Sequence, residues 1–146
     1  MNNNLNMICT LIRAVGCTLD EALAIMLCDI KMNESGNIFI RLGMGNRERV
    51  AFVIDNAIVM HLMEDAKAQG REMLVGPAVQ TYNYLSDRAY YAHRLYDIVS
   101  GNGNNISDWY HTFGKKKYDH MSLEVVARMM GIKDVQTLGA LLRLKA

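Results

Sequence analysis

The chain has 146 residues, 51% hydrophobic and 21% charged, with a formal net charge of +1. That length suits one domain over 1–146 around one core, and the composition is that of a globular protein rather than a disordered or fibrous one. The near-zero net charge excludes a domain that is basic all over, so any affinity for duplex DNA has to come from a local patch.

Residues 5–15 carry Leu5, Met7, Ile8, Leu11, Ile12 and Val15 at helical spacing, up to Gly16. A second helix opens at Thr18-Leu19-Asp20-Glu21, a capping-box pattern whose hydroxyl and carboxylate satisfy orphan amides at a helix start; its inward face is Leu19, Ala22, Leu23 and Met26. The period then changes to two. Ile38, Ile40 and Leu42 alternate with Phe39 and Arg41, and Val50, Phe52 and Ile54 alternate with Ala51 and Val53. The Gly- and Asn-rich stretch between these runs predicts a β-hairpin. Asp55 caps a helix burying Ile58, Val59, Leu62, Met63 and Ala66, ended by Gly70.

Residues 71–84, with the single proline Pro77, read as extended or irregular. Ser86 is the expected cap of a helix burying Ala89, Ala92, Leu95, Tyr96 and Val99, and 101–105 is a Gly/Asn loop. The rest reads as helical over 106–113, 122–130 (Ser122 as cap, Gly131 as stop) and 134–144. The expected class is therefore α+β, mostly helical, with helices packed around a small β-hairpin sheet.

No apolar run reaches the roughly 18 residues of a membrane span, because Asp55, Asn56 and His61 interrupt the richest stretch, so no membrane partner is expected. The opening Met1-Asn2-Asn3-Asn4 lacks the features of a signal peptide, which makes the cytoplasm the default location. Cys9, Cys17 and Cys28 make neither an even disulfide framework nor a CxxC motif and are expected as buried free thiols.

Three segments in order resemble a known family. Leu11-Ile12-Arg13-Ala14-Val15-Gly16-Cys17-Thr18-Leu19-Asp20-Glu21-Ala22-Leu23, followed by Asp29-Ile30, is similar to the helix pair "TGLRxSEhL … L…DI". Ile40 to Val50 is close to the hairpin "GKGNKER". Trp109-Tyr110-His111-Thr112-Phe113, then 122–131 and Asp134-Val135-Gln136-Thr137, is similar to "HxLRHTF … hhxhhxxhhGHxxhxTTxxY". Together they resemble the catalytic domain of the tyrosine recombinases, the phage-integrase family, over nearly the whole chain. The resemblance implies that family's fold.

It also implies where the catalytic residues would lie, and they are substituted. The first arginine falls on Thr18, the hairpin lysine on Met44, the histidine and arginine of "HxLR" on Ser107 and Tyr110, the histidine of "GH" on Ile132, and the tyrosine nucleophile on Leu141. Only the family's acidic residue is kept, as Glu21. Phosphotyrosine chemistry needs a nucleophile, fixed cations for the charge that builds on the phosphoryl oxygens, and a proton donor to the leaving oxygen. Thr, Met, Tyr, Ile and Leu supply none of the fixed cations, and a phenol such as Tyr110 or Tyr118 without that support is a poor nucleophile. The resemblance therefore implies a non-enzyme that needs no cofactor.

Other chemistry finds little support. His61, His93, His111 and His120 do not fall at i, i+4 beside each other or beside cysteine or acidic pairs, so no metal site is expected. Gly43-x-Gly45 lacks the Lys-Ser/Thr of a phosphate loop. Residues 122–142 alone look like a helix-turn-helix, but the recombinase resemblance accounts for the same stretch together with the hairpin and the first helix pair. The eleven methionines suit an adaptable core or an interaction surface.

In the family the hairpin and basic residues around the active site touch the sugar-phosphate backbone. The resemblance places Arg41, Arg47, Arg49, Lys115, Lys116 and Lys117 around the former active-site face, where they form an expected duplex-DNA patch; the bland reading is solvated surface charge, partly offset by Glu48 and Asp119. The chain begins almost at the catalytic domain, without the family's clamp-completing N-terminal domain, so weak binding is expected unless it oligomerises. The expected function is a catalytically inactive recombinase-like DNA-binding regulator or accessory factor on a bacterial or mobile-element genome, with a protein-interaction module as the alternative.

Overall fold

The computed structural model describes residues 3–43, 45–76, 83–103 and 106–144. Helix α1 (Asn3–Val15) turns Ile8, Leu11, Ile12 and Val15 fully inward. Gly16 follows with φ +76°, and a Cβ there would run into the ring of Tyr91, so this corner requires glycine on both counts. Thr18 then caps α2 (Leu19–Ala24) with the reciprocal bonds of a capping box: Glu21 N–H donates to Thr18 Oγ1 at 3.2 Å, and Thr18 N–H donates to Glu21 Oε1 at 2.9 Å. Ala22 is the one α2 residue fully buried, and Ile25, just past the helix, is buried more deeply than the expected Met26.

Strands β1 (Ile30–Met32), β2 (Ile38–Leu42) and β3 (Arg49–Phe52) form an antiparallel sheet in the order β1-β2-β3. The β2–β3 hairpin is the one expected from the period-two runs, with Ile40 opposite Ala51 and Leu42 opposite Arg49. Strand β1 was not expected. It is three residues long, too short to show alternation, and joins β2 through a turn in which Asn33 Oδ1 accepts from the Ser35 and Asn37 amides. Ile38, Ile40, Leu42, Ala51 and Val53 face one core cluster with α1 and α3 (Asn56–Ala68). Phe52 and Ile54 face the other way, onto a second cluster, while Val50 is 60% exposed. Asp55 stands at the start of α3 as expected but makes no side-chain capping bond.

The second cluster is built by α4 (Leu85–Val99), α5 (His120–Met130), α6 (Val135–Leu142) and a hairpin of β4 (Tyr110–Phe113) and β5 (Lys116–Asp119). Three expectations are corrected here. Ser86 lies inside α4, whose first turn is held by Asn83 Oδ1 accepting from the Leu85 amide. Residues 110–113 are a strand, and 106–109 are not helical. Helix α5 begins two residues before Ser122 and is capped by Asp119, which accepts from the Ser122 amide at 3.0 Å. Gly131, with φ +70°, ends α5, and Asp134 caps α6 through the Thr137 amide at 2.7 Å.

Helices α1 and α4 pack together across the two clusters. The Tyr91 hydroxyl donates to the Phe52 carbonyl at 2.7 Å, and the Ile54 amide to the Ala14 carbonyl at 2.9 Å. The architecture is α+β, with more helix than strand and two small antiparallel sheets. No described helix is long and apolar enough to cross a membrane. Cys17 is buried as expected, Cys9 is half-buried, and Cys28 is exposed, contrary to expectation.

Candidate nucleic-acid interface

The positions that the recombinase resemblance equates with catalytic residues hold other duties. Thr18 caps α2. Leu141 is buried in the second cluster and Ile132 packs half-buried against it. Ser107 donates its amide and hydroxyl to Asp119 Oδ1 at 3.0 and 2.8 Å, and Tyr110 is 44% exposed at the start of β4. Met44 lies outside the described residues.

Of the six basic residues expected on a DNA-binding face, Arg49 is turned inward. One guanidinium nitrogen donates to the Met129 carbonyl and another to Glu21 Oε1, both at 3.0 Å, and its side chain is 14% exposed. It also lies against Gly131, where a Cβ would meet its Cδ. Close by, Arg88 donates to the Gly16 carbonyl and the Met130 carbonyl, each at 3.1 Å. Burial, reinforced by the neighbouring Arg49 cation, pushes the Arg88 guanidinium below its ordinary value. Burial likewise pushes the Cys17 thiol up to about 12, so it stays an inert thiol. This junction ties the α1–α2 corner to the end of α5, and Arg49 serves it as an internal fastener.

The remaining five basic residues stay exposed, on two hairpins. Arg41 on β2 pairs with Asp29 at 2.8 Å, and that carboxylate raises the arginine further above its usual range. Arg47 sits in the short 3-10 turn Gly45–Arg47 that connects β2 to β3, at the same end of that strand pair. Lys115, Lys116 and Lys117 occupy the β4–β5 turn and strand. Lys116 lies 3.8 Å from Asp97 and over the rings of Tyr96 and Tyr118, on the inward side. Lys117, opposite Thr112, faces solvent with its ammonium 4.8 Å from the centre of the Tyr110 ring. The outer face of this hairpin thus presents Tyr110, Thr112 and Lys117, with Lys115 at its tip.

On the opposite face of the hairpin, where His111 lies with Phe113 and Tyr118, is a polar chain that the sequence does not reveal as a whole. His111 Nε2 lies 2.7 Å from His120 Nδ1, and His120 Nε2 lies 2.8 Å from Glu124 Oε1. The Trp109 indole stacks on the His120 ring with centroids 3.5 Å apart and planes 9° apart. The signal for half of it was in the sequence, since Glu124 follows His120 by four residues and shares its helix face. The other half depends on the β4–β5 pairing, which a helical reading of 106–113 removes. Behind it, Asp119 accepts from the amides and hydroxyls of Ser107 and Ser122, which hold its carboxyl down at about 2. Among the described residues no group of three or more His, Cys, Asp or Glu is placed to hold a metal ion.

Comparison of the chain with protein-family models, with curated proteins and with solved structures finds no match.

Proposed function

We propose that the chain is a non-catalytic DNA-binding protein, a regulator or accessory factor that resembles a tyrosine recombinase catalytic domain stripped of its reactive residues. The observation that carries the DNA reading is the exposed β4–β5 hairpin, where Lys117 stands over the Tyr110 ring and Lys115 lies at the tip, all three exposed. Arg41 and Arg47 extend the basic character to the other hairpin. Arg49 is left out of the interface because its charge is consumed internally. Thr18, Ile132 and Leu141 support the non-catalytic reading, because each is used as a cap or in packing and none bears a nucleophile or cation suited to phosphoryl transfer. Contacts confined to lysines and arginines on phosphates predict binding that is weak, tolerant of sequence and strongly salt-dependent.

The test is fluorescence anisotropy of a labelled duplex titrated with the full chain over a range of salt. Affinity should fall steeply as salt rises, and Lys115→Glu with Lys117→Glu should weaken it without changing the circular dichroism spectrum. No binding at low salt sinks the DNA reading. A covalent adduct trapped on a nicked suicide substrate sinks the non-catalytic one.

A second reading, a protein-interaction module, is favoured by one observation: an apolar groove between the β1 edge and α3, lined by Ile30, Met32, Ile38, Met60 and Met63, with Met32 and Met60 exposed.

A further inference from the structure

The aromatic side chains before and at the start of β4 are out of place for a purely electrostatic DNA contact. Trp109 is 57% exposed although it is the chain's one tryptophan, and Tyr110 beside it is also largely open. An indole left in water is ordinarily mobile, but one face of this indole lies flat on the His120 ring. That imidazole is itself held at both nitrogens, by Glu124 on its own helix and by His111 across the hairpin. Trp109 is therefore a pre-positioned plate with one face spent and the other free. Tyr110 carries the Lys117 ammonium over its ring, and Lys115 lies at the hairpin tip. Two anionic groups are also near: Asp108, exposed next to the indole, and Glu124, engaged with His120.

We infer that the β4–β5 hairpin is a binding site for unpaired nucleotides, in which a base stacks on the free face of Trp109 and the adjoining phosphates are held by Lys115 and Lys117. The chemistry follows from the residues. Every base offers a π-face to a fixed aromatic plate, and a strand of linked bases brings a phosphate at each step. Within a duplex those faces are hidden in its own stack, except at the ends, so exposed aromatics add little to binding along its length. The fixed ring matters because stacking on a side chain already held in place costs little ordering entropy. The inference rests on the nucleic-acid reading of the lysine run and narrows it to single-stranded segments.

Because the chain has one tryptophan, its selectively excited indole emission reports on this site alone. The full chain is titrated with a short oligo-dT strand while indole emission is followed, and labelled oligo-dT and labelled duplex are followed by anisotropy in parallel. The site predicts strong quenching by oligo-dT that is lost at high salt. Trp109→Leu should weaken oligo-dT binding by at least about fivefold, and Trp109→Phe should restore most of it. Oligo-dT binding without quenching, or with equal affinity in the Leu variant, overturns the inference. Equal quenching by polyglutamate also overturns it, because the surface would then take an acidic polypeptide. Duplex binding with no oligo-dT quenching leaves the broader DNA reading standing and removes this one; oligo-dT quenching with no duplex binding does the reverse.

Discussion

His111 Nε2 and His120 Nδ1 are 2.7 Å apart, so one of these nitrogens carries a proton and the other a lone pair. Glu124 settles which. Its carboxylate only accepts, so His120 Nε2 donates to it, and when both rings are neutral His120 Nδ1 accepts the His111 Nε2 proton. Both neutral rings are thereby fixed in the Nε2–H form, and His111 Nδ1 is left with a bare lone pair at the outer end of the chain.

The expected readout is an imidazole nitrogen NMR spectrum in which both rings show protonated Nε2 and unprotonated Nδ1. A His120 ring protonated at Nδ1 would reverse the direction of the whole chain. Energetically, His111→Leu removes the donor to a nearly buried nitrogen and should cost about 1–3 kcal/mol in a denaturant titration. Glu124→Gln keeps an acceptor for His120 Nε2 and should cost well under half as much.

The parts of this fold legible in the sequence are those whose signal is local. Thr18 and Glu21 are three residues apart and cap each other, and Ile38, Ile40 and Leu42 alternate because one face of β2 is buried. Asp134 and Gly131 likewise mark their helix ends from neighbouring residues. The β4–β5 hairpin is lost in a helical reading of 106–113, although Tyr, Thr, Phe and Tyr around Gly114 are strand and turn formers. The long-range contacts of the candidate site leave no local signal. His111 meets His120 only through the β4–β5 pairing, and Arg49 meets Met129 across 80 positions. The charge of Arg49 was plain in the sequence; its direction was not, because the same residue type serves equally as a surface cation or an internal tie.

Arg49 and Lys117 should therefore separate cleanly in mutagenesis. Arg49→Leu leaves Glu21 and the Met129 carbonyl without their shared donor in a half-buried setting, and should lower stability by roughly 1–3 kcal/mol while leaving the salt dependence of DNA binding unchanged. Lys117→Gln should do the opposite, changing stability by less than about 0.5 kcal/mol and reducing the slope of log affinity against log salt by about 1. Melting curves and salt titrations on both variants check the pair. A reduced slope in the arginine variant with unchanged stability would place Arg49 on the binding face after all.

The same reasoning applies to space at the Gly16 corner. Its positive φ is strained for any residue with a Cβ, and that atom would also collide with the ring of Tyr91. Gly16→Ala should destabilise by more than about 1 kcal/mol, and Tyr91→Leu in the same chain should recover part of the loss by opening the ring's space. The recovery is limited, because the Tyr91 hydroxyl bond to the Phe52 carbonyl is lost with the ring. Strict additivity of the two changes would show that the corner is strained by its backbone alone.

Asp119 gives the acid limb of the stability profile. Hydrogen bonds from Ser107 and Ser122 hold its folded-state value at about 2, below the roughly 3.9 of an unfolded aspartate. A carboxyl lowered on folding stabilises the protein fully above its unfolded value, and loses that contribution as pH falls through its folded value. The wild-type chain should therefore lose stability between about pH 4 and about pH 2 through this group. Asp119→Asn substitutes an amide NH2 for one accepting oxygen and turns it toward Ser107 or Ser122 donors, so at pH 7 it should cost about 1–3 kcal/mol. The gap between wild type and variant should narrow steadily below about pH 4, because protonation removes from the wild type what the substitution has already removed from the variant. Urea titrations at stepped pH measure it directly. A gap that stays constant down to pH 2 would mean that the four hydrogen bonds hold the hairpin in place without favouring the charged form.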